Sequence, residues 1–198
     1  MADYLEDRKT LIKRNPQWLK PLPFNGYTHK DYMSWDDGIR AELIDGIPYM
    51  MAPPSINHQR LVKNLTSQLD GFLKNKPCEV LMAPTGVRLF PQDNEEDQVT
   101  VEPDVFVVWD EKKLSGGQVV NGAPDFIIEV LSPSTKAVDL VIKKELYEKA
   151  GVKEYWIAGE DLLYRYILID NIYSESIHKL FKGFKLEVFV LKGCVLTF

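Results

Sequence analysis

The chain has 198 residues, 45% hydrophobic and 27% charged, a globular balance that excludes a disordered, collagen-like or low-complexity polypeptide. Its 24 basic and 29 acidic residues give a net charge of −5, so any contact with a polyanion needs a local basic surface. Two distant cysteines, Cys78 and Cys194, and three scattered histidines exclude a Cys/His zinc module and give no disulfide framework, which fits a reducing, cytoplasmic location.

The N-terminal stretch MADYLEDRKTLIKR is too charged for a signal peptide, and no apolar run approaches the ~18–20 residues of a membrane span, so no membrane partner is expected. Residues 1–27, stiffened by Pro16, Pro21 and Pro23, read as an N-terminal arm: a short helix, then an extended segment. Residues 28–198 read as one domain. THKDYMSW, from Thr28, suits a capped helical turn, and ELIDGIPYMM alternates around Asp45-Gly46, a dipeptide that tolerates positive φ in tight hairpins. Glu42 therefore lies on a strand.

Ser55 caps a helix expected over about 56–74, where Leu61, Val62, Leu65, Leu69, Phe72 and Leu73 recur at helical spacing. Short strands follow at 78–83 and 85–90, then an acidic loop, QDNEEDQ, at 92–98. PDVFVVW (103–109) and PDFIIEVL (124–131) are near-continuous apolar runs, the signature of strands covered on both faces. SPST ends the second. An amphipathic helix over 138–150 closes at Gly151, and VKEYWIA (152–158) returns as a strand, giving the order strand, helix, strand. The remaining segments LLYRYILID, IYSESIHKLF, KLEVFV and CVLTF read as further hairpin strands.

Within this pattern Glu129 is anomalous, an ionisable side chain among Phe126, Ile127, Ile128, Val130 and Leu131. Burying an unpaired carboxylate costs several kcal/mol at least, so Glu129 must be protonated, paired with a cation or bound to a metal. Asp125 is a poor companion, because four residues along a strand separate the two by roughly 13 Å. A neighbouring strand beginning at Pro103-Asp104 brings a carboxylate to the ~4.8 Å interstrand spacing, where the two acids would hold a hard divalent ion such as Mg²⁺ or Mn²⁺. Asp104 and Glu129 are the candidate metal pair.

The blocks AELIDGIPYMMAPPSINHQ, EPDVFVV, GAPDFIIEVLSPST and DLVIKKELYEKAGVKEYW, in that order over about residues 28–160, resemble the bacterial Uma-two family within the PD-(D/E)XK nuclease superfamily. The resemblance implies an α/β restriction endonuclease-like core: a central mixed β-sheet flanked by helices, with carboxylates of adjacent strands around a divalent metal. It assigns metal ligation to Asp104 and Glu129, and an acidic position on the early hairpin to Glu42, acting directly or through water. His58 also matches a family position. The superfamily usually places a lysine two residues after the second acid, where this chain has Leu131; in the family it comes from the following helix, matching Lys143, with Lys144 next to it.

The function implied is a Mg²⁺-dependent endonuclease acting on DNA, with a homodimer expected because symmetric two-strand cleavage suits a two-fold assembly. The alternative is a nucleic-acid-binding or interaction module that keeps the fold without cutting. Plainer readings stand beside each residue. Asp139 precedes Lys143 by four helical positions and would make an ordinary ion pair with it; Arg40 lies near Glu42; Asp104 follows Pro103 as a turn aspartate does; a histidine at a helix start is often a neighbour of the cap. Tyr155 and Trp156 read as sheet packing, and the lysines of HKLFKGFK (178–185) as guards of a hairpin edge.

Overall fold

The computed structural model describes residues 23, 25–35, 38–132 and 138–198. Of the N-terminal arm expected over 1–27, residues 1–22 and 24 lie outside the described residues, as do residues 133–137, which include most of the SPST segment. In chain order the first elements are α1 (His29–Tyr32), β1 (Ala41–Ile44), β2 (Ile47–Met50), α2 (Ile56–Leu73), β3 (Glu79–Met82), β4 (Gly86–Arg88) and β5 (Thr100–Val101). Then come β6 (Val105–Val108), a 3-10 turn (Glu111–Leu114), β7 (Val119–Asn121), β8 (Phe126–Val130), a π-helical segment (Val138–Lys143) and α3 (Lys144–Ala150). β9 (Glu154–Ala158), β10 (Leu162–Ile169), β11 (Ile172–Lys179), β12 (Lys185–Glu187) and β13 (Val195–Thr197) complete the chain.

Two compact units divide these elements, residues 1–51 with 91–101, and residues 52–90 with 102–198. In the first, Thr28 caps α1 through a reciprocal box with Asp31, and β1 pairs antiparallel with both β2 and β5. The hairpin turns where expected: Asp45 and Gly46 have φ of +49° and +75°. Gly46 is needed for space as well, since a Cβ there would come 3.0 Å from the Gly26 Cα. His29 is buried, with Nδ1 2.8 Å from the Thr100 hydroxyl.

The second unit carries a six-stranded sheet in the order β11-β10-β9-β8-β6-β3, in which only β8 and β9 run parallel. That parallel step is the strand-helix-strand crossover read from the sequence, with the π segment and α3 between its strands. In this unit β4 also pairs parallel with β7, and β12 with β13 antiparallel.

Alternation decides what each face of the six-stranded sheet touches. Val105, Val107, Phe126, Ile128, Val130, Trp156 and Ala158 form one core with Val62, Leu65, Leu69 and Leu73 of α2. The intervening residues turn to the opposite face, where Tyr147 of α3 meets Tyr155 edge-on at 4.9 Å between ring centroids. Glu129 shares that face, with Ile127 and Asp125. Tyr155 and Trp156 are fully buried, as their strand placement implies. Among the described residues no helix is long and apolar enough to cross a membrane.

The expected helix over 138–150 is present but not uniform. Its first half is a π segment and only Lys144–Ala150 is α-helical, closed by Gly151 at φ +82°. Periodicity does not reveal such a turn, because six residues are too few for a π repeat to stand out from an α repeat; π turns are concentrated at functional sites. β5 and β7 were also not expected, being two and three residues long and too short to show alternation.

Candidate active site

The antiparallel register of β6 and β8 pairs Val105 with Ile128, so one step further along the ladder Asp104 stands across from Glu129. Both carboxylates are anchored by the backbone of the facing strand. The Asp104 N–H donates to Glu129 Oε2 at 3.2 Å, and the Val130 N–H donates to Asp104 Oδ2 at 2.8 Å. The neighbouring-strand geometry expected from the two Pro-Asp runs is what the fold produces.

Each acid meets a side chain from a different helix. Glu129 is 3% exposed, and its Oε1 accepts from Lys143 Nζ and from the Tyr147 hydroxyl, each at 2.9 Å. Asp104 is less deeply set, its side chain 16% exposed, and His58 Nε2 lies 3.1 Å from its Oδ2. Ser55 caps α2 by accepting from the His58 N–H, which fixes the first turn of that helix beside the end of β6. Lys143 is also buried and stands 3.7 Å from Asp139 Oδ1, so the ion pair expected four residues back exists but is interior. The backbone carbonyl of Asp139 accepts from the Tyr155 hydroxyl.

The Lys143 or Lys144 ambiguity has a geometric answer: Lys143 points to Glu129, while the Lys144 ammonium lies 5.2 Å from the centre of the Tyr166 ring. Asp125 is excluded from the pair for a reason beyond distance, since Lys153 Nζ and the Trp109 N–H already take its two oxygens. Glu42 is buried on β1 in the first unit, opposite Tyr49 of the hairpin. The group brought together within the second unit is Asp104, Glu129, Lys143 and His58.

Tyr147 was not foreseen. It lies four residues after Lys143, on the same helical face, and that spacing is the signal that could have revealed it. Electrostatics raises the His58 pKa, chiefly through its hydrogen bond to Asp104, against the opposing effect of burial. Its Nδ1 is buried without a hydrogen-bond partner among the described residues. Burial, with the Glu129 and Asp139 charges nearby, drives the Tyr155 phenol well above its usual value and keeps it neutral.

A profile of the family described as "Uma2: Putative restriction endonuclease" matches residues 29–189. The chain belongs to the Uma2 family. An uncharacterized protein of Synechocystis sp. is 29% identical over 127 residues, which cover 63% of this chain and 64% of that relative's length. Among solved structures, one described as a putative nuclease belonging to DUF820 from Anabaena variabilis superposes with a TM-score of 0.62 at 17% identity, covering 83% of this chain and 90% of the other. At that identity the likeness speaks to the fold, and the mixed α/β, restriction endonuclease-like architecture agrees with the Uma2 assignment.

Proposed function

We propose that this Uma2 chain is a metal-dependent endonuclease that hydrolyses phosphodiester bonds of DNA, with Asp104 and Glu129 holding the divalent ion and Lys143 and His58 acting beside it. One observation carries the reading: Lys143 Nζ lies 2.9 Å from the carboxylate of a buried strand glutamate whose other oxygen receives the Asp104 N–H. An ordinary structural ion pair needs no second acid on the adjacent strand.

The donors suit a hard cation. Both are carboxylates, and no hydrogen bond from a described residue reaches Asp104 Oδ1. Among the described residues no group of three His, Cys, Asp or Glu side chains forms a metal cage. An all-oxygen donor pair fits Mg²⁺ or Mn²⁺, which retains several waters and takes one or two carboxylates, better than zinc with its nitrogen and sulfur ligands.

When bound, the ion would supply charge neutralisation and a more acidic water. The chain's own residues do the rest. Lys143 offers an ammonium for negative charge developing on the phosphoryl oxygens, and Glu129 with Asp139 holds that ammonium in place. His58, capped into α2 with Nε2 on Asp104 and Nδ1 buried, orients the Asp104 carboxylate and adds positive charge at the less buried side of the pair. With a net charge of −5, productive DNA contact depends on local cations of this kind.

The test is nicking of supercoiled plasmid by the full chain with Mg²⁺ or Mn²⁺. The expected result is metal-dependent scission, lost by at least about 100-fold in Glu129→Ala and in Asp104→Asn variants whose circular dichroism is unchanged. Folded protein that binds DNA but never cuts it would replace this reading with the non-catalytic binding module.

A further inference from the structure

β11 borders the six-stranded sheet, and among the described residues it pairs on its inner side with β10. It is eight residues long with six of them exposed, including Ile172 at 67% and Ile177 at 53%. A long open edge of this kind presents unpaired N–H and C=O groups to any strand that fits.

Its hydrogen-bonding parity can be read directly. In an antiparallel ladder, alternate residues direct their backbone groups inward and those between direct them outward. The Tyr173 N–H points outward, since it donates to the Glu148 carboxylate of α3 at 2.7 Å. Glu175, Ile177 and Lys179 share that parity, while the Tyr173 donor is already used.

A second copy of the same strand offers few registers that set outward residues against outward residues. Centring the two-fold axis on Glu175 puts two like charges face to face. Centring it on Ser176 sets Glu175 against Ile177 and calls on Tyr173. Centring it on Ile177 packs that side chain against its own copy, opposes each Glu175 with a Lys179, sets Ser176 against His178, and forms about six backbone hydrogen bonds. A lysine on an edge ordinarily blocks pairing, but Glu175 four residues away turns Lys179 into a complement. Glu175 stands directly across from Tyr166 in the β10–β11 pair.

We propose that the chain forms a two-fold homodimer by antiparallel pairing of β11 with β11 of a second copy, centred on Ile177, so that the two six-stranded sheets become continuous. This deepens the expectation that an endonuclease cutting both strands works as a dimer, yet its geometry belongs to β11 alone and does not involve Asp104 or Glu129.

Sedimentation velocity of the full chain tests it, using Glu175→Lys, Lys179→Glu and the double swap. The wild type should be dimeric, each single variant should raise the dimer dissociation constant about tenfold, and the double variant should return within about threefold. All three carry a circular dichroism check, and whatever Glu175 contributes opposite Tyr166 is removed in Glu175→Lys and in the double swap alike, so recovery cannot come from it. A dimer indifferent to all three swaps, or a double variant as weak as the singles, overturns the β11 interface while leaving metal-dependent cleavage untouched. A wild type that stays monomeric at every concentration overturns the interface and the dimer expectation together.

Discussion

Glu129 sits where water does not reach, and its charge is tolerable because Lys143, Tyr147 and the Asp104 N–H surround it. Removing the cation should therefore be expensive: Lys143→Met is expected to destabilise the metal-free protein by about 3–5 kcal/mol in urea unfolding, and the added change Glu129→Gln should recover most of that loss. A loss below about 1 kcal/mol would mean that the carboxylate is better solvated than its burial implies. His58 makes a pH-dependent statement. Its folded pKa is raised above 6.5, chiefly through Asp104, so the imidazolium contributes stability that is fully present below that value and is lost as the pH rises through the raised one. The gap in unfolding free energy between wild type and His58→Gln should be widest near pH 6 or just below, and should close in mildly alkaline buffer. An equal gap at both would refute the ion pair with Asp104.

At the scale of single elements, the N-terminus of α2 does more than end a helix. Ser55 caps it through the His58 N–H, so the cap and the histidine that meets Asp104 form one local structure. Ser55→Ala should lower stability by about 1 kcal/mol, the usual worth of such a cap, and should also reduce the His58 pKa shift followed by NMR titration. A shift that survives intact would show that the sheet side alone positions the ring. The helix was readable because four of its apolar positions, Val62, Leu65, Leu69 and Leu73, face the core. The segment carrying Lys143 was read as a plain helix, since the six residues Val138–Lys143 are too few for a π repeat to stand out from an α repeat in the sequence. Likewise β5 and β7 owe their existence to the strands beside them.

Over the whole molecule, what a sequence can reveal follows from how local the cause is. The Asp45-Gly46 turn, the apolar runs of β6 and β8, and the crossover between β8 and β9 are each written in neighbouring residues. The pairing of Asp104 with Glu129 was inferable because a charge inside an apolar strand demands a companion, and the adjacent strand offers one. The hydrogen bond from Tyr147 and the choice of Lys143 over Lys144 required the direction of side chains in space. The central claim is that the acids of β6 and β8 share a divalent ion. Anomalous diffraction from crystals of the full chain soaked in Mn²⁺ tests it most directly. A peak about 2.0–2.2 Å from carboxylate oxygens of both Asp104 and Glu129, with Lys143 still beside Glu129, is the predicted result. Saturating Mn²⁺ that leaves this position empty, or that binds through other residues alone, would contradict it.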